Sequence, residues 1–381
     1  MTGTIPRKGP LSGYRVVELK GIGPGPYAGM VLADLGADVI VVERPVDVMR
    51  GIDLRGKRSI VLDLKKPEAI AALLKIVAAS DVLIEGLRPG VTERLGIGPA
   101  QCHAVNPKLV YARMTGWGQS GPWSQMAGHD INYISMTGAL HAMGKADQPP
   151  MPPLNIVGDF GGGSMFLVTG IIAALLRAEK TGQGDIVDAA IVDGVNSMMS
   201  FIYSRHGAGA WKPQREANLL DGGAPFYRCY TAADGKFVAV GCIEPQFFAV
   251  MMERLQLDMA AYGAQHDQSL WPQQHRMLET AFAAKTRDEW DAIFAGTDAC
   301  VTPVLDYQEV AHHPANAARH THITDADWTH PQIAPRFSGQ DLVQQFPMPT
   351  KGSDYKGILA EAGMSADEIA ELINASAVIA E

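Results

Sequence analysis

The sequence predicts an α/β protein: a Rossmann-like parallel sheet makes a large domain, and a smaller α+β domain follows it. Three observations carry this. A strand-loop-helix-strand order opens the chain, with YRVVEL (14–19), GIGPGP (21–26), an apolar-periodic helix at about 27–35 and ADVIVVE (37–43). The pattern repeats through SIVLDL (59–64), a helix at 67–79, DVLIEG (81–86) and LVYARM (109–114). Finally, PFYRCYTAADGKFVAVGC (225–242) reads as a hairpin turning on AADG, because Asp-Gly supplies the positive φ such turns need. A chain of 381 residues exceeds one ordinary core, so two domains are expected.

Between these blocks, GWGQSGPW (116–123) is a turn-rich loop leading to His129. SMFLVTGIIAALLRAEKTGQG (164–184) is a helix ended by Gly182, and DIVDAAIVDG (185–194) returns as a strand or a helix start. Residues 1–200 are assigned to the large domain, 201–217 to a linker, 218–305 to the small domain and 306–381 to a C-terminal segment. Glu244-Pro245 opens a helix with proline at its favoured first position. His312, His313, His320, His322 and His330 are spaced too irregularly for a metal site and read as surface. The tail is two short helices, with Ser365 as N-cap and Glu368 three residues on.

Composition narrows the function classes. Apolar residues at 47% and charged residues at 19% describe a globular, enzyme-sized protein. The longest apolar runs, such as MFLVTGIIAALL (165–176), look too short to span a bilayer, so no membrane partner is expected. The start and end match no targeting signal, which makes the cytoplasm the expected location. Cys102, Cys229, Cys242 and Cys300 are far apart and read as buried thiols, with neither a disulfide framework nor a metal site. A net charge of −9 argues against nucleic acid. Charge is uneven, however: Arg44 to Arg94 holds ten Lys and Arg against seven Asp and Glu, a local +3. Either a phosphate-bearing ligand or a solvated basic face would explain it.

Two stretches have the layout of an acid/base site. GHDINYIS (128–135) sets His129 and Asp130 side by side behind Gly128, and PPLNIVGDFGGGSM (152–165) sets Asp159 before three glycines and a long apolar helix. There its carboxylate would lie beside exposed N–H donors able to bind an anion. Two proton carriers on opposite sides of one carbon could remove a proton from one face and return it on the other. Spacing alone equally permits a helix-start or core histidine and an N-cap aspartate. Gly23, Gly25 and Ala28 imitate a dinucleotide fingerprint with Glu43 after the next strand, but Pro24 and Pro26 remove donors from the loop that would cradle a pyrophosphate.

Taken together, LSGYRVVELKGIGPGPYAGMVLADLGADVIVVERP, DVLIEGLRPGVTERLG, YARMTGWGQSGP, GHDINY, VGDFGGGSM, EPQFF and DACVTPV resemble the α-methylacyl-CoA racemases of the class III CoA-transferase superfamily. The resemblance runs from about Leu11 to Ser338. It implies an acyl-CoA thioester substrate, no cofactor beyond the substrate's own CoA, and no metal. By motif, His129 and Asp159 match the catalytic pair and Glu244 matches a glutamate that hydrogen-bonds the histidine. Gly128, Asp130 and Tyr133 match neighbours of the thioester; Ile22, Arg44, Lys65, Glu85, Arg88 and Arg94 match positions around CoA. The family fold implies that residues 306–381 return to the large domain and that two chains interlock as a homodimer, so that Glu244 would serve the partner's His129. Soft apolar surface for the acyl group is expected at Met136, Met143, Met198 and Met199.

Rival readings are a CoA-transferase with Asp159 as nucleophile, a non-catalytic acyl-CoA-binding paralogue, and a nicotinamide enzyme. His129 separates the first from a racemase, because racemase-like members of the superfamily carry it. The acyl chain itself is not legible.

Overall fold

The computed structural model describes residues 8–46, 50–325, 328–339 and 347–379. The chain divides into two compact units: a larger one of Met1–Thr137, Leu154–Met199 and His320–Glu381, and a smaller one of Gly138–Pro153 and Ser200–Arg319. Its strands are β1 (Arg15–Leu19), β2 (Asp38–Glu43), β3 (Arg58–Leu62), β4 (Val82–Glu85), β5 (Val110–Thr115), β6 (Asp185–Ala190), β7 (Tyr227–Thr231), β8 (Phe237–Gly241), β9 (Val301–Pro303), β10 (His322–Asp325), β11 (Trp328–Pro331) and β12 (Val378–Ile379).

In the larger unit the sheet order is β12-β3-β2-β1-β4-β5-β6, parallel throughout except β12, which runs antiparallel to β3. β1 to β5 are apolar and buried along nearly their whole length, as a sheet covered on both faces requires. One core layer joins Val17, Ile40, Ile60, Leu83 and Tyr111 to Leu73 and Ile76 of the helix Pro67–Ala78. Leu359 and Leu372 of the two tail helices complete that layer. Ser365 caps the second of them as expected, its hydroxyl accepting from Glu368 N–H at 3.2 Å.

Beneath the helix Pro24–Asp34 lies an ion pair with both side chains fully buried, Glu18–Lys57. Lys57 Nζ also donates to Pro26 O at 2.9 Å. A Cβ at Gly29 would stand 2.0 Å from Glu18 Oε2, so only glycine lets the helix settle over the pair. Burial pushes the Glu18 carboxyl up and the Lys57 ammonium down; each is held charged by the other.

Glu43, the acid that a dinucleotide fold would offer to a ribose, is engaged internally: it accepts from Arg50 and from Ser59 Oγ. The helix after β1 starts with Pro24 at its first turn behind Gly23, whose φ is 75°.

Several expectations change. The helix after residue 164 is preceded by a ten-residue π-wound segment, Ile156–Met165, so Asp159 sits inside a helix and not at its cap. Together they form a 26-residue helix, Ile156–Thr181, which by length and composition is long enough to cross a membrane. It packs partly buried in the larger unit, with Leu167, Val168 and Ile171 in the core. The glycine run is not an open anion cradle. Gly162 and Gly163 are buried, and a Cβ at Gly162 would meet Val195 Cγ2 of the helix Ile191–Met198 at 2.4 Å. Cys102 and Cys242 are buried, and burial pushes both thiols up to about 12, but Cys229 and Cys300 are exposed. His330 is buried, not superficial.

In the smaller unit β7, β8 and β9 form an antiparallel sheet on an aromatic core that includes Phe226, Phe248, Tyr262, Trp271, Phe282 and Trp290. The hairpin turns at Asp234-Gly235 as predicted, with Gly235 at φ 78°. The unit bounds depart from the sequence assignment at residues 138–153, 201–217 and 306–319, all of which belong to the smaller unit, so that the C-terminal segment joins the larger unit only from His320. Arg215 holds the excursion at 138–153 by donating to the carbonyls of Lys145, His141 and Gln148 at 3.0, 3.1 and 2.7 Å.

Removing one partner of a buried pair strands the other charge, so Lys57→Met is expected to cost about 3–5 kcal/mol in urea unfolding. Adding Glu18→Leu should recover most of that loss; two additive losses would show that the pair is not a unit.

Candidate active site

Strands of a parallel sheet all end on one edge, and ligands of open α/β sheets bind there. The expected CoA contacts come off that edge: Ile22 after β1, Arg44 after β2, Lys65 after β3, Arg88 and Arg94 after β4. Ile22 is 78% exposed. Of the ten cations from Arg44 to Arg94, six are engaged. Arg50, Arg55, Lys57, Arg58 and Lys75 pair with carboxylates, and Lys66 donates to Ala375 O. The remaining four are Arg44, Lys65, Arg88 and Arg94, all exposed and without an ion pair among the described residues. Glu85 departs from expectation. It is buried at the end of β4, one oxygen accepting from Arg113 Nε at 2.9 Å and the other from Leu87 N–H at 2.7 Å. Desolvation raises its carboxyl, and Arg113 opposes that. It braces the β4 edge from inside.

The loop after β5 delivers His129, exposed, as the residue before the helix Asp130–Ser135. Asn132 Oδ1 accepts from His129 N–H at 3.1 Å and fixes the chain entry. Tyr133 folds back to donate to Gly128 O. Its ring lies where a Cβ at Gly116 would stand, 2.0 Å from Cε1, and packs edge-on against Trp117 with centroids 4.9 Å apart. Asn132 and Tyr133 N–H both donate to His129 O at 2.8 and 3.2 Å, while the N–H groups of Asp130 and Ile131 have no acceptor among the described residues.

Asp159 is half-buried, and three elements converge on it. Asp130 Oδ2 accepts Asp159 N–H at 2.7 Å. Gly23 closes from the loop after β1: a Cβ there would stand 3.0 Å from Asp159 Oδ2. Ser164 Oγ lies 2.7 Å from Pro24 O and 3.0 Å from Asp159 O, and Tyr27 stacks on Phe160 at 4.3 Å, which ties that loop to the π-wound segment. Burial, then the nearby Asp130 charge, push the Asp159 carboxyl up to about 6; a hydrogen bond from Asn155 and the charge of His129 pull the other way. Desolvation and Asp159 in turn raise the Tyr133 phenol. Imidazole, phenol and carboxyl therefore share one electrostatic neighbourhood. Gly23, Asn155 and Gly158 are site residues that sequence reasoning missed; Gly23 was visible only as part of a false dinucleotide fingerprint.

Glu244 lies in the smaller unit, exposed at the start of the helix Pro245–Leu255, and its side chain makes no capping bond. Its charge reaches Cys300, whose thiol is raised first by desolvation and then by Glu244. The same unit holds an open cavity of about 590 Å³, lined among others by Lys145, Met151, Glu216, Cys229, Cys300 and Thr302. Among the described residues no cluster of His, Cys, Asp and Glu is arranged to hold a metal.

Residues 11–355 match the model of CoA-transferase family III. The chain belongs to that family. The α-methylacyl-CoA racemases of Mus musculus and Homo sapiens are each 44% identical to it, over 95% of this chain and 96% of theirs. A succinate–glutarate CoA-transferase of Agrobacterium fabrum is 36% identical over 63% of this chain and 66% of its own. Among solved structures, a CAIB/BAIF family protein from Brucella suis superposes with a TM-score of 0.79 at 26% identity, over 93% of this chain and 99% of that one. Rv3272 from Mycobacterium tuberculosis gives 0.76 at 26% identity, over 92% and 99%. The mixed α/β fold with its large parallel sheet is the fold of these family structures.

A carboxyl raised in the folded state stabilises the fold below its unfolded pKa, and that contribution is lost as pH rises through about 6. Asp159→Asn removes the titration. Its melting temperature should therefore gain on the parent's between pH 4 and pH 7 and keep that advantage above; a constant difference across pH would contradict the raised carboxyl.

Proposed function

We propose that this protein interconverts the 2R and 2S epimers of 2-methylacyl-CoA thioesters by removing and returning the α-proton. The observation that supports this most directly is Asp159: a half-buried carboxyl near neutrality, within electrostatic reach of a histidine on a separate element. A proton α to a thioester is weakly acidic, so its removal needs a placed base and donors for the enolate oxygen. His129 takes the proton from one face while neutral Asp159 supplies one to the other; in the reverse direction the roles exchange. The Asp130 and Ile131 N–H groups are the donors for the enolate, one such donor being worth about 3 kcal/mol. Proton transfer of this kind calls for neither metal nor cofactor.

The forward-active and reverse-active forms carry the same single proton, placed on one partner or the other. They are tautomers, so both directions share one bell-shaped pH profile whose limbs belong to the pair.

Arg44, Lys65, Arg88 and Arg94 take the phosphate end of CoA, and the exposed Met136 and Met198 offer the acyl group soft apolar surface. The family resemblance supports an interlocked homodimer in which Glu244 orients the partner's His129. Light scattering at micromolar concentration should give twice the chain mass.

The deciding experiment is α-hydrogen exchange of a 2-methylacyl-CoA in heavy water with no second acid present. Exchange is expected with the parent protein and should fall about a hundredfold or more in His129→Ala and in Asp159→Ala. Parental rates in either variant would refute the mechanism. Turnover only on adding an acceptor carboxylate would assign the chain to the CoA-transferases, with Asp159 as nucleophile. Binding without exchange would make it a carrier.

Arg88→Ala and Arg94→Ala should each raise KM for acyl-CoA about tenfold and leave kcat nearly unchanged, the pattern of binding lost equally from ground and transition states. A matching fall in kcat would place these arginines at the reacting carbon instead.

A further inference from the structure

Asp130 stands next to His129 in sequence, which suggests a side chain turned to the thioester. The structure places it elsewhere. Asp130 is 8% exposed, and its Oδ2 receives the N–H of Asp159 at 2.7 Å. Its Oδ1 is buried with no hydrogen-bond partner among the described residues. The approach depends on Gly158, where a Cβ would stand 2.2 Å from Oδ2 and 3.0 Å from Ile134 Cγ2. Any other residue at 158 would force the helix Asp130–Ser135 away from the π-wound segment.

We propose that Asp130 is a positioning residue for Asp159, its buried carboxylate fixing the Asp159 backbone through Gly158 while holding a negative charge against the Asp159 carboxyl. This rests on the racemase reading for its functional meaning, though not for its geometry. A buried carboxyl with one unsatisfied oxygen is costly to keep, because among the described residues the Asp159 N–H is the one donor that offsets its lost hydration. Its charge is felt by the group bonded nearest to it, and like charges disfavour each other's ionised form.

The ionisable groups around Asp159 are few. His129 and Tyr133 face it from the loop and helix that carry Asp130. Asn155 donates to it from its own segment. The Gly21–Pro26 loop brings no ionisable side chain, and Asp193 on the helix Ile191–Met198 is exposed. Asp130 is accordingly the negative group that acts on Asp159, after burial itself.

Two variants separate anchor from charge. Asp130→Asn keeps an acceptor for the Asp159 N–H and removes the charge; Asp130→Ala removes both. The Asp159 carboxyl is followed by carbon NMR in protein labelled at aspartate, its signal assigned by its loss in Asp159→Asn. The exchange rate in heavy water is followed across pH. In the parent the carboxyl should titrate at about 6. In Asp130→Asn it should titrate about one unit lower, and the acid limb of the exchange profile should move down with it. Asp130→Ala should show the same titration shift with a further loss of rate at the optimum. The proposal is overturned if the Asp159 titration stays put in Asp130→Asn, or if that variant loses rate at every pH without moving the limb. Should Asp130→Ala fail to fold, Asp130→Ser provides the second charge-free side chain and is judged by the same titration. A parent that shows no exchange would overturn the racemase reading alone, since the titration still tests the coupling.

Discussion

A sheet covered on both faces has no room for polar chemistry except where its strands stop. In this chain that constraint decides the placement of the site. β1 to β5 are buried along nearly their whole length, so the loops that leave their carboxyl ends must supply the charged groups that are to meet a ligand. Within the basic first quarter, cations that would otherwise form a diffuse field are sorted by this geometry. Arg55, Lys57 and Arg58 are paired within the fold, Lys75 is paired at its surface, and four at the strand ends stay open to solvent. Net charge alone could not have told the two groups apart.

The second theme is close approach through glycine. Gly29 lets a helix rest on a buried ion pair; Gly158 lets a carboxylate reach a backbone N–H; Gly116 makes room for the Tyr133 ring; Gly162 lets the π-wound segment lie against the helix Ile191–Met198. Each contact joins elements far apart in sequence without a side chain of its own. The result is a carboxyl, Asp159, whose backbone is held by Asp130 and Ser164, while its side chain stays only half-buried and titrates near neutrality. A carboxyl in this state can give or take a proton under ordinary conditions, which an N-cap aspartate in solvent could not do equally well.

What the sequence made legible follows the same physics. The strands of the parallel sheet announce themselves as apolar runs, the hairpin by Asp-Gly, and the last helix by Ser365 with Glu368, because each signal is local. The π-wound segment was not legible: four glycines among apolar residues have no helical period, and what stabilises the winding is contact with Val195 and Asp130, far off in sequence. Glu85 was expected around CoA, and the ten residues about it say nothing of Arg113, which comes to its side only when β4 and β5 pair. The excursion at 138–153 was hidden for a similar reason, since Arg215 gathers it through carbonyls that any sequence would possess. His129, Asp159 and Glu244 were legible as motif residues, whereas the surroundings that set their chemistry are tertiary.

The position of β12 has a consequence for how the larger unit comes into being. This two-residue strand covers the outer side of β3, and the helices just before it fill the core over the same edge. All three emerge from the ribosome after the smaller unit has been made. Until then β3 presents unpaired amides and an uncovered apolar flank, the kind of rim on which a nascent chain can find a wrong neighbour. The larger unit is thus begun first and finished last, with the intervening unit made while its edge still stands open.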